Sequence, residues 1–214
     1  MKSLSKLALC LLLAMSLTVS AFAAQVPDSL VAENLNGQQR LVKTYTLSPE
    51  VDPDELKEED FSYDGYLYTW AYIVARTNAL RAERGIAALA ADDQLMRAAQ
   101  VRADEMAATG TYSHTRPDGR KYYTVTDCRQ VGENIHQIPL LYLAQQKTAL
   151  AETLVYSWSK SAGHMENMTD ESYAAIGVGL ARGTDANGME CWYCVQLFLR
   201  SGYSISAVDK PATK

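Results

Sequence analysis

Apolar side chains recur at helical spacing in the part of the chain that follows residue 65. The first predicted helix begins at Tyr66 and stops at Gly85, and its apolar face comprises Trp70, Ile73, Val74, Thr77 and Leu80. A second helix is capped by Asp92 and continues to Gly110, and its apolar face comprises Leu95, Ala98, Ala99, Ala103 and Met106. The pattern therefore predicts two amphipathic helices in succession.

A third helix is predicted from about Leu143 to Trp158 by the same spacing. Gly163 is expected to end that element and to begin a short turn. Between the second and third helices, residues 111–131 are rich in Pro, Gly, Asp and Tyr, which indicates a long loop or a partly extended segment.

Two strands are predicted towards the end of the chain. Residues 176–181 alternate between large apolar and small side chains, which implies that a helix packs very closely on the small face. The turn-forming residues 184–188 lead into a second strand, Met189 to Leu199. Helices followed by a hairpin predict an α+β layered domain over residues 66–202, with residues 203–214 as a C-terminal tail.

Residues 1–24 have the pattern of a secretory signal peptide. Lys2 and Lys6 precede an apolar run, Leu7 to Val19, and small residues follow at Ala21-Phe22-Ala23-Ala24. The run is shorter than the roughly 20 residues that a membrane span needs, so we expect no transmembrane anchor. The prediction is a secreted, extracellular protein.

Residues 25–65 form an acidic N-terminal extension with ten acidic and three basic side chains. Asn36-Gly37 followed by residues 40–47 predicts a hairpin turn leading into a strand, and a solvated acidic linker is the alternative. The net charge of −5 becomes −7 when Lys2 and Lys6 leave with the signal peptide, giving 18 basic and 25 acidic residues. An acidic chain without a basic cluster argues against nucleic acid and anionic lipid as partners.

Three cysteines follow the signal peptide: Cys128, Cys191 and Cys194. An oxidising compartment predicts one disulfide bond among them. Because Cys191 and Cys194 share one predicted strand, they are about 10 Å apart and point to opposite faces of it. A disulfide requires Cα atoms within about 7 Å, so Cys128 is expected to pair with one of them or with neither.

Two of the chain's three histidines, His114 and His164, lie in polar segments on either side of Gly132-Glu133-Asn134, which is interpreted as a turn. Imidazole titrates near neutral pH and is the commonest metal ligand. If the fold brings His114, Glu133 and His164 together, they form a divalent-metal site or an acid–base pair. Three separate loop residues that bond to their own turns are the alternative.

Several short motifs occur here in the order in which a known family has them: Asn78-Ala-Leu-Arg81, Ser113-His114-Thr-Arg-Pro-Asp-Gly119, Gly132-Glu133-Asn134, Trp158, Ser161-Ala-Gly-His164 with Asn167, Ile176-Gly-Val-Gly179 and Gln196-Leu-Phe198. Over about residues 66–200 the chain resembles the CAP superfamily of cysteine-rich secretory, antigen 5 and pathogenesis-related proteins, and in particular its bacterial SCP-like branch. The resemblance implies an α-β-α sandwich.

The resemblance also implies that His114, Glu133 and His164 face one open cavity. Eukaryotic members commonly have a second Glu where this chain has Ser161, so that the set of two His and two Glu is incomplete here. An extracellular binding module is implied, with Zn²⁺ or another divalent metal at His114 and His164, or with a lipid, glycan or peptide ligand. The alternative is a metal-assisted hydrolase of peptides or cell-wall material, with Glu133 as its catalytic general base.

Two further hypotheses concern neighbouring residues. His136 is expected to be a surface histidine on an extended strand, although it could line the same cavity. His164-Met165-Glu166 with Cys191-Trp-Tyr-Cys194 resembles the zinc deaminase signature, but Glu190 replaces its proline and both cysteines fall in a strand. A deaminase is therefore the remote alternative.

Overall fold

The computed structural model describes residues 30–35, 38–43, 65–146 and 149–213. The signal peptide predicted for residues 1–24 lies outside these ranges. Within the acidic extension, β1 (Leu30–Leu35) pairs antiparallel with β2 (Gln38–Lys43). These strands lie on either side of Asn36-Gly37 in the sequence, where a hairpin turn is predicted.

The main domain is built around a four-stranded sheet. Its strands are β3 (Ala90–Ala91), β4 (Val131–Pro139), β5 (Tyr173–Thr184) and β6 (Glu190–Arg200), arranged in the spatial order β3-β5-β6-β4. β6 pairs antiparallel with both β5 and β4, whereas the short β3 pairs parallel with β5. β4 is consequently an edge strand of this sheet.

Helices cover both faces of the sheet, as the predicted α-β-α arrangement requires. One face packs against α1 (Gly65–Ala82), α4 (Leu150–Lys160) and α5 (Ala162–Thr169), and the other against α2 (Asp93–Thr109). α3 (Leu140–Gln146) follows β4 directly. Within the described ranges, none of these helices has the length and apolar character needed to cross a membrane.

Both predicted ends of α2 are confirmed. The carboxylate of Asp92 accepts a hydrogen bond of 2.8 Å from the N–H of Leu95, and Gly110 ends the helix in the left-handed conformation with φ of 64°. The close packing predicted for β5 is confirmed as well. A Cβ at Gly177 would lie 2.2 Å from the carbonyl carbon of Leu95, and one at Gly179 would lie 2.1 Å from the carbonyl oxygen of Ala99.

Asn78 and Arg81 hold the last turns of α1 against the rest of the domain. Asn78 bonds to both the N–H and the C=O of Leu89, at 2.8 and 3.0 Å. The buried guanidinium of Arg81 donates to the carbonyl oxygens of Met168 and Asp170, at 3.0 and 2.9 Å. These two motif residues therefore support the fold and fix the end of α5.

Three local predictions are wrong. The predicted third helix is two helices, because Ala149 is extended, with ψ of 147°, immediately before α4. Gly163 begins no turn and lies inside α5, which carries His164. Gly132-Glu133-Asn134 is part of β4, since pairing with β6 overrides the turn preference of Gly and Asn.

The expected disulfide is not formed, and Cys128, Cys191 and Cys194 are all free thiols. Cys128 precedes the first residue of β4, whereas Cys191 is paired with Pro139, the last residue of that strand. A strand of this length separates the two thiols by about 26 Å, far beyond disulfide reach. Cys194 packs on the opposite face of β6 from Cys191, as the sequence predicts.

Candidate functional site

Glu133 and Asn134 are consecutive residues of β4 whose side chains point to opposite faces of the sheet. The carboxylate of Glu133 contacts Arg102 of α2, and the amide of Asn134 contacts the backbone of His164 in α5. The free edge of β4 therefore lies between two walls. One wall is the segment of residues 111–116, which carries His114, and the other is α5.

The carboxylate of Glu133 holds the ring of His114. Nδ1 of His114 lies 2.6 Å from Oε2 of Glu133, and the carboxylate is completely buried whereas the imidazole is 53% exposed. An ionised carboxylate only accepts hydrogen bonds, so we assign the ring hydrogen to Nδ1. Nε2 of His114 then keeps its lone pair for a ligand or a proton. The ring of Tyr122 packs edge-on against the imidazole, with 6.0 Å between the centroids.

Arg102 occupies the second oxygen of Glu133. Its Nε donates to Oε1 of Glu133 at 2.8 Å, and its other nitrogens donate to Glu105 at 2.7 Å and to the carbonyl oxygen of Ser113 at 2.8 Å. Burial opposes the charged form of Arg102, but Glu133 and Glu105 outweigh it, and the pKa of Arg102 is raised. The same guanidinium thus fixes Glu133 and the segment that carries His114.

Arg116 extends this buried network to the C-terminal tail. It donates twice to Oε1 of Glu105, at 2.9 and 2.7 Å, and once to Asp209, at 2.8 Å. The backbone N–H of Ala212 also donates to Oε1 of Glu105, at 2.8 Å. Within residues 203–213 the tail is therefore bonded into the domain beneath the His114 segment.

Arg102, Glu105 and Arg116 belong to the site, although no motif in the sequence identifies them as site residues. One signal is present in the pattern, because Arg102 and Glu105 lie three residues apart beside the predicted apolar face of α2. Charged residues in that position are normally buried only as a pair. The sequence alone does not say which residue completes the network.

Asn134 fixes the second wall. Its Nδ2 donates to the carbonyl oxygen of His164 at 3.0 Å and to Gln196 at 3.0 Å, and its Oδ1 accepts from Asn167 at 2.8 Å. The pKa of His164 is lowered by burial and then by the positive charge of His114. His164 thus lies within electrostatic range of His114, and in the described part of the chain its ring makes no hydrogen bond to Glu133.

His136 lies closer to the site than expected for a surface histidine. It is half-buried beside Trp158, with 6.4 Å between the ring centroids. Its pKa is lowered by burial and then by the charge of His164. His114 and His136 therefore each lie within electrostatic range of His164.

Two imidazoles form the donor set that could hold a metal. In the part of the chain that the structure describes, no three His, Cys, Asp or Glu side chains converge on one ion position. Glu133 faces Arg102 and His114 with both of its oxygens, which leaves His114 and His164 as the nitrogen donors. The deaminase arrangement has no support here, because Cys191 and Cys194 point to opposite faces of β6.

Similar proteins are known. Residues 74–198 match the profile of the cysteine-rich secretory protein family, CAP. The uncharacterized protein YkwD of Bacillus subtilis (strain 168) is 29% identical over 113 residues, which are 50% of this chain and 40% of that protein.

Two solved structures are also similar. An extracellular protein containing a SCP domain from Bacillus anthracis str. Ames has 20% identity and a TM-score of 0.47, over 76% of this chain and 47% of that one. An outer surface protein from Borrelia burgdorferi has 16% identity and a TM-score of 0.42, over 65% of this chain and 96% of that one. The chain thus spans less than half the length of the two Bacillus proteins.

Proposed function

The chain belongs to the cysteine-rich secretory protein (CAP) family, and from this premise we propose that it is an extracellular binding module whose site lies at His114 and His164. Export is supported by the signal-peptide pattern of residues 1–24. The observation that carries the proposal is the buried Glu133 carboxylate that orients the exposed ring of His114.

His114 and His164 are two nitrogen donors, and a divalent metal such as Zn²⁺ bound there would complete its coordination with water or with ligand oxygens. Ligating histidines generally donate their second ring N–H to a carboxylate, and His114 has this arrangement with Glu133. The pKa of His164 is lowered by burial, which favours the neutral imidazole that ligates a metal. When bound, the metal would supply a positive charge that attracts an oxygen-bearing ligand. Glu133 would serve as the partner that holds His114.

A metal-assisted or metal-free hydrolase of peptides or cell-wall material is the second proposal. The His114–Glu133 contact favours it, because a carboxylate behind an imidazole is how a general base is oriented. In this version His114 is the base, since Glu133 is buried and both of its oxygens are engaged. This changes the role that the sequence suggests for Glu133.

Zinc titration by calorimetry tests the binding proposal. We expect the wild-type chain to bind Zn²⁺, and the His114→Ala, His164→Ala double variant to lose that binding. Glu133→Gln should weaken zinc binding by about 10- to 100-fold, as removal of a carboxylate behind a ligand does. Full retention of zinc by the double variant would contradict the site, and loss of zinc on Cys191→Ser would favour the deaminase arrangement instead.

Turnover of peptide and cell-wall fragment libraries tests the hydrolase. Activity that disappears in His114→Ala and survives in Glu166→Gln, a change at an exposed position of α5, would support it. Activity that survives in His114→Ala would exclude His114 as the base.

A further inference from the structure

The free edge of β4 has its carbonyl oxygens covered by side chains of the domain. The carbonyl oxygen of Val131 accepts from the hydroxyl of Tyr122 at 3.0 Å, and that of Glu133 accepts from Asn167 at 3.3 Å. The carbonyl oxygen of Ile135 accepts twice, at 3.0 and 3.2 Å, from Tyr112 and Trp158. These carbonyls therefore point away from β6, and each has a partner.

The N–H groups of the same edge residues differ from these carbonyl groups, because they have no hydrogen-bond acceptor in the described part of the chain. In an antiparallel pair, the N–H and C=O of one residue point to the same side, so the N–H groups of Glu133 and Ile135 also face away from β6. The alternate residues face β6, as the bond of 3.1 Å from Arg200 N–H to the carbonyl oxygen of Gln130 illustrates.

Neither edge N–H has an acceptor within the described ranges of the chain, where β4 has no second neighbouring strand. Glu133 and Ile135 are only 4% and 2% exposed. Where so little of a residue is exposed, an N–H without an acceptor is unfavourable by about 1–3 kcal/mol, and an acceptor on a ligand would relieve that cost. The edge thus offers donors but no available acceptors.

This asymmetry excludes an added β-strand as the partner. An extended peptide that joins a sheet edge presents donors and acceptors alternately, and needs the edge carbonyls as well as the edge N–H groups. The carbonyls of Glu133 and Ile135 are already covered by Asn167, Tyr112 and Trp158. A ligand group with acceptors alone is what remains.

Both walls of the candidate site meet at Glu133. Its carboxylate holds His114, and its carbonyl oxygen is held by Asn167, one turn after His164 on α5. Arg102 lies 2.8 Å from the carboxylate and is shared with Glu105, so Glu133 repels an approaching anion less than an isolated carboxylate would.

We propose that the site recognises an oxyanion, a carboxylate or phosphate group, through the backbone N–H groups of Glu133 and Ile135. This deepens the proposed function and rests on its site between His114 and His164. The two N–H groups are about 6.6 Å apart, since they are two strand residues apart. One anionic group therefore bonds to one N–H, and a ligand with two acceptor groups at that spacing bonds to both.

Amide NMR on the full chain tests this inference, with inorganic phosphate in one titration and acetate in another at constant ionic strength. We expect saturable downfield shifts for the amide protons of Glu133, Ile135 or both. The amides of Asn134 and His136 should stay unchanged, because they face β6 and serve as internal controls. Shifts with phosphate alone assign a phosphate group, and shifts with acetate alone assign a carboxylate.

Two results would overturn the inference: no shift at Glu133 or Ile135 with either anion, or equal shifts at all four amides. Zinc calorimetry on the same sample separates this failure from failure of the proposed function. Zinc binding that depends on His114 and His164, without any anion response, supports the binding module and contradicts the recognition of an oxyanion. An anion response in a protein that binds no zinc supports the recognition of an oxyanion and contradicts the metal site.

Discussion

Replacing Glu133 by Gln tests whether the carboxylate of Glu133 acts by orienting its neighbours or by taking part in a reaction itself. Gln has nearly the same shape and can still accept the 2.8 Å bond from Arg102, but its charge is lost and its amide nitrogen can only donate. With that nitrogen facing Nδ1 of His114, Nδ1 must become an acceptor. We expect the ring hydrogen to move to Nε2, which removes the lone pair that a ligand would use.

The loss of stability follows from the two bonds of Glu133. In the variant the bond from Arg102 is still a hydrogen bond to a charged group, but it loses the attraction between two opposite charges. A buried bond to a charged group contributes about 1.5–3 kcal/mol, and we expect about 1–1.5 kcal/mol of this to be lost. The bond to His114 weakens by only about 0.5 kcal/mol, because that ring is half-exposed. Arg102 keeps Glu105, so the larger penalty of an unpaired buried charge does not arise. We expect a total of about 2 kcal/mol.

Urea denaturation at pH 7.5 measures this loss, and a typical slope of about 2 kcal/mol per molar turns it into a midpoint lower by about 1 M. Nitrogen NMR of the imidazole reports which ring nitrogen of His114 carries the hydrogen. Glu166→Gln, at an exposed position of α5, is the matched control and should stay within about 0.5 kcal/mol of wild type. A Glu133→Gln variant that unfolds like the control and keeps the hydrogen on Nδ1 would show that Glu133 does not hold His114.

Three other predictions follow from the structure. Gly179→Ala should destabilise the domain by about 3 kcal/mol or more, because its Cβ would overlap backbone of α2. Gly163→Ala, with open space around its Cβ, should be neutral or stabilising by up to about 1 kcal/mol. Equal melting temperatures for the two variants would contradict the packing. In an NMR titration, the pKa of His164 should rise in His114→Ala, because the positive charge that His114 carries when protonated is removed. An unchanged pKa would place the rings too far apart to share a ligand. Deleting residues 203–214 should cost about 2 kcal/mol, or about 4–8 °C in melting temperature, because Arg116 loses Asp209 and Glu105 loses the N–H of Ala212, although the two side chains still pair with each other. An unchanged melting temperature would show that the tail is dispensable.

The parts of the fold that the sequence predicts are those with local signals. Asp92 and Gly110 mark the ends of α2 through capping and left-handed conformation, and both act within a few residues. The small residues Gly177 and Gly179 reveal a close helix because no other packing explains their alternation with large side chains. β4 lacks such a signal, since Gly132 and its neighbours favour a turn locally and become a strand through distant pairing with β6.

The candidate site likewise has a part that the sequence predicts and a part that it does not. Motif order identifies His114, Glu133 and His164, and the structure puts the first two in contact and the third within electrostatic range. Their roles depend on partners from elsewhere in the chain. Arg102 makes Glu133 a fully engaged carboxylate, and in the sequence it looks like an ordinary charged residue of a helix. The sequence places His136 on an extended strand but misses its burial, because that depends on Trp158 of α4 packing beside the strand.

The opposed side chains of Glu133 and Asn134 have a consequence for how new specificities could arise. A single peptide unit carries the attachment points of both walls, so the width of the gap at its base is set by the about 3.8 Å between neighbouring Cα atoms. Residues further out on either wall can then be exchanged without altering that width. Relatives with unrelated ligands could keep the same Gly-Glu-Asn bracket and diverge only in the side chains that surround it.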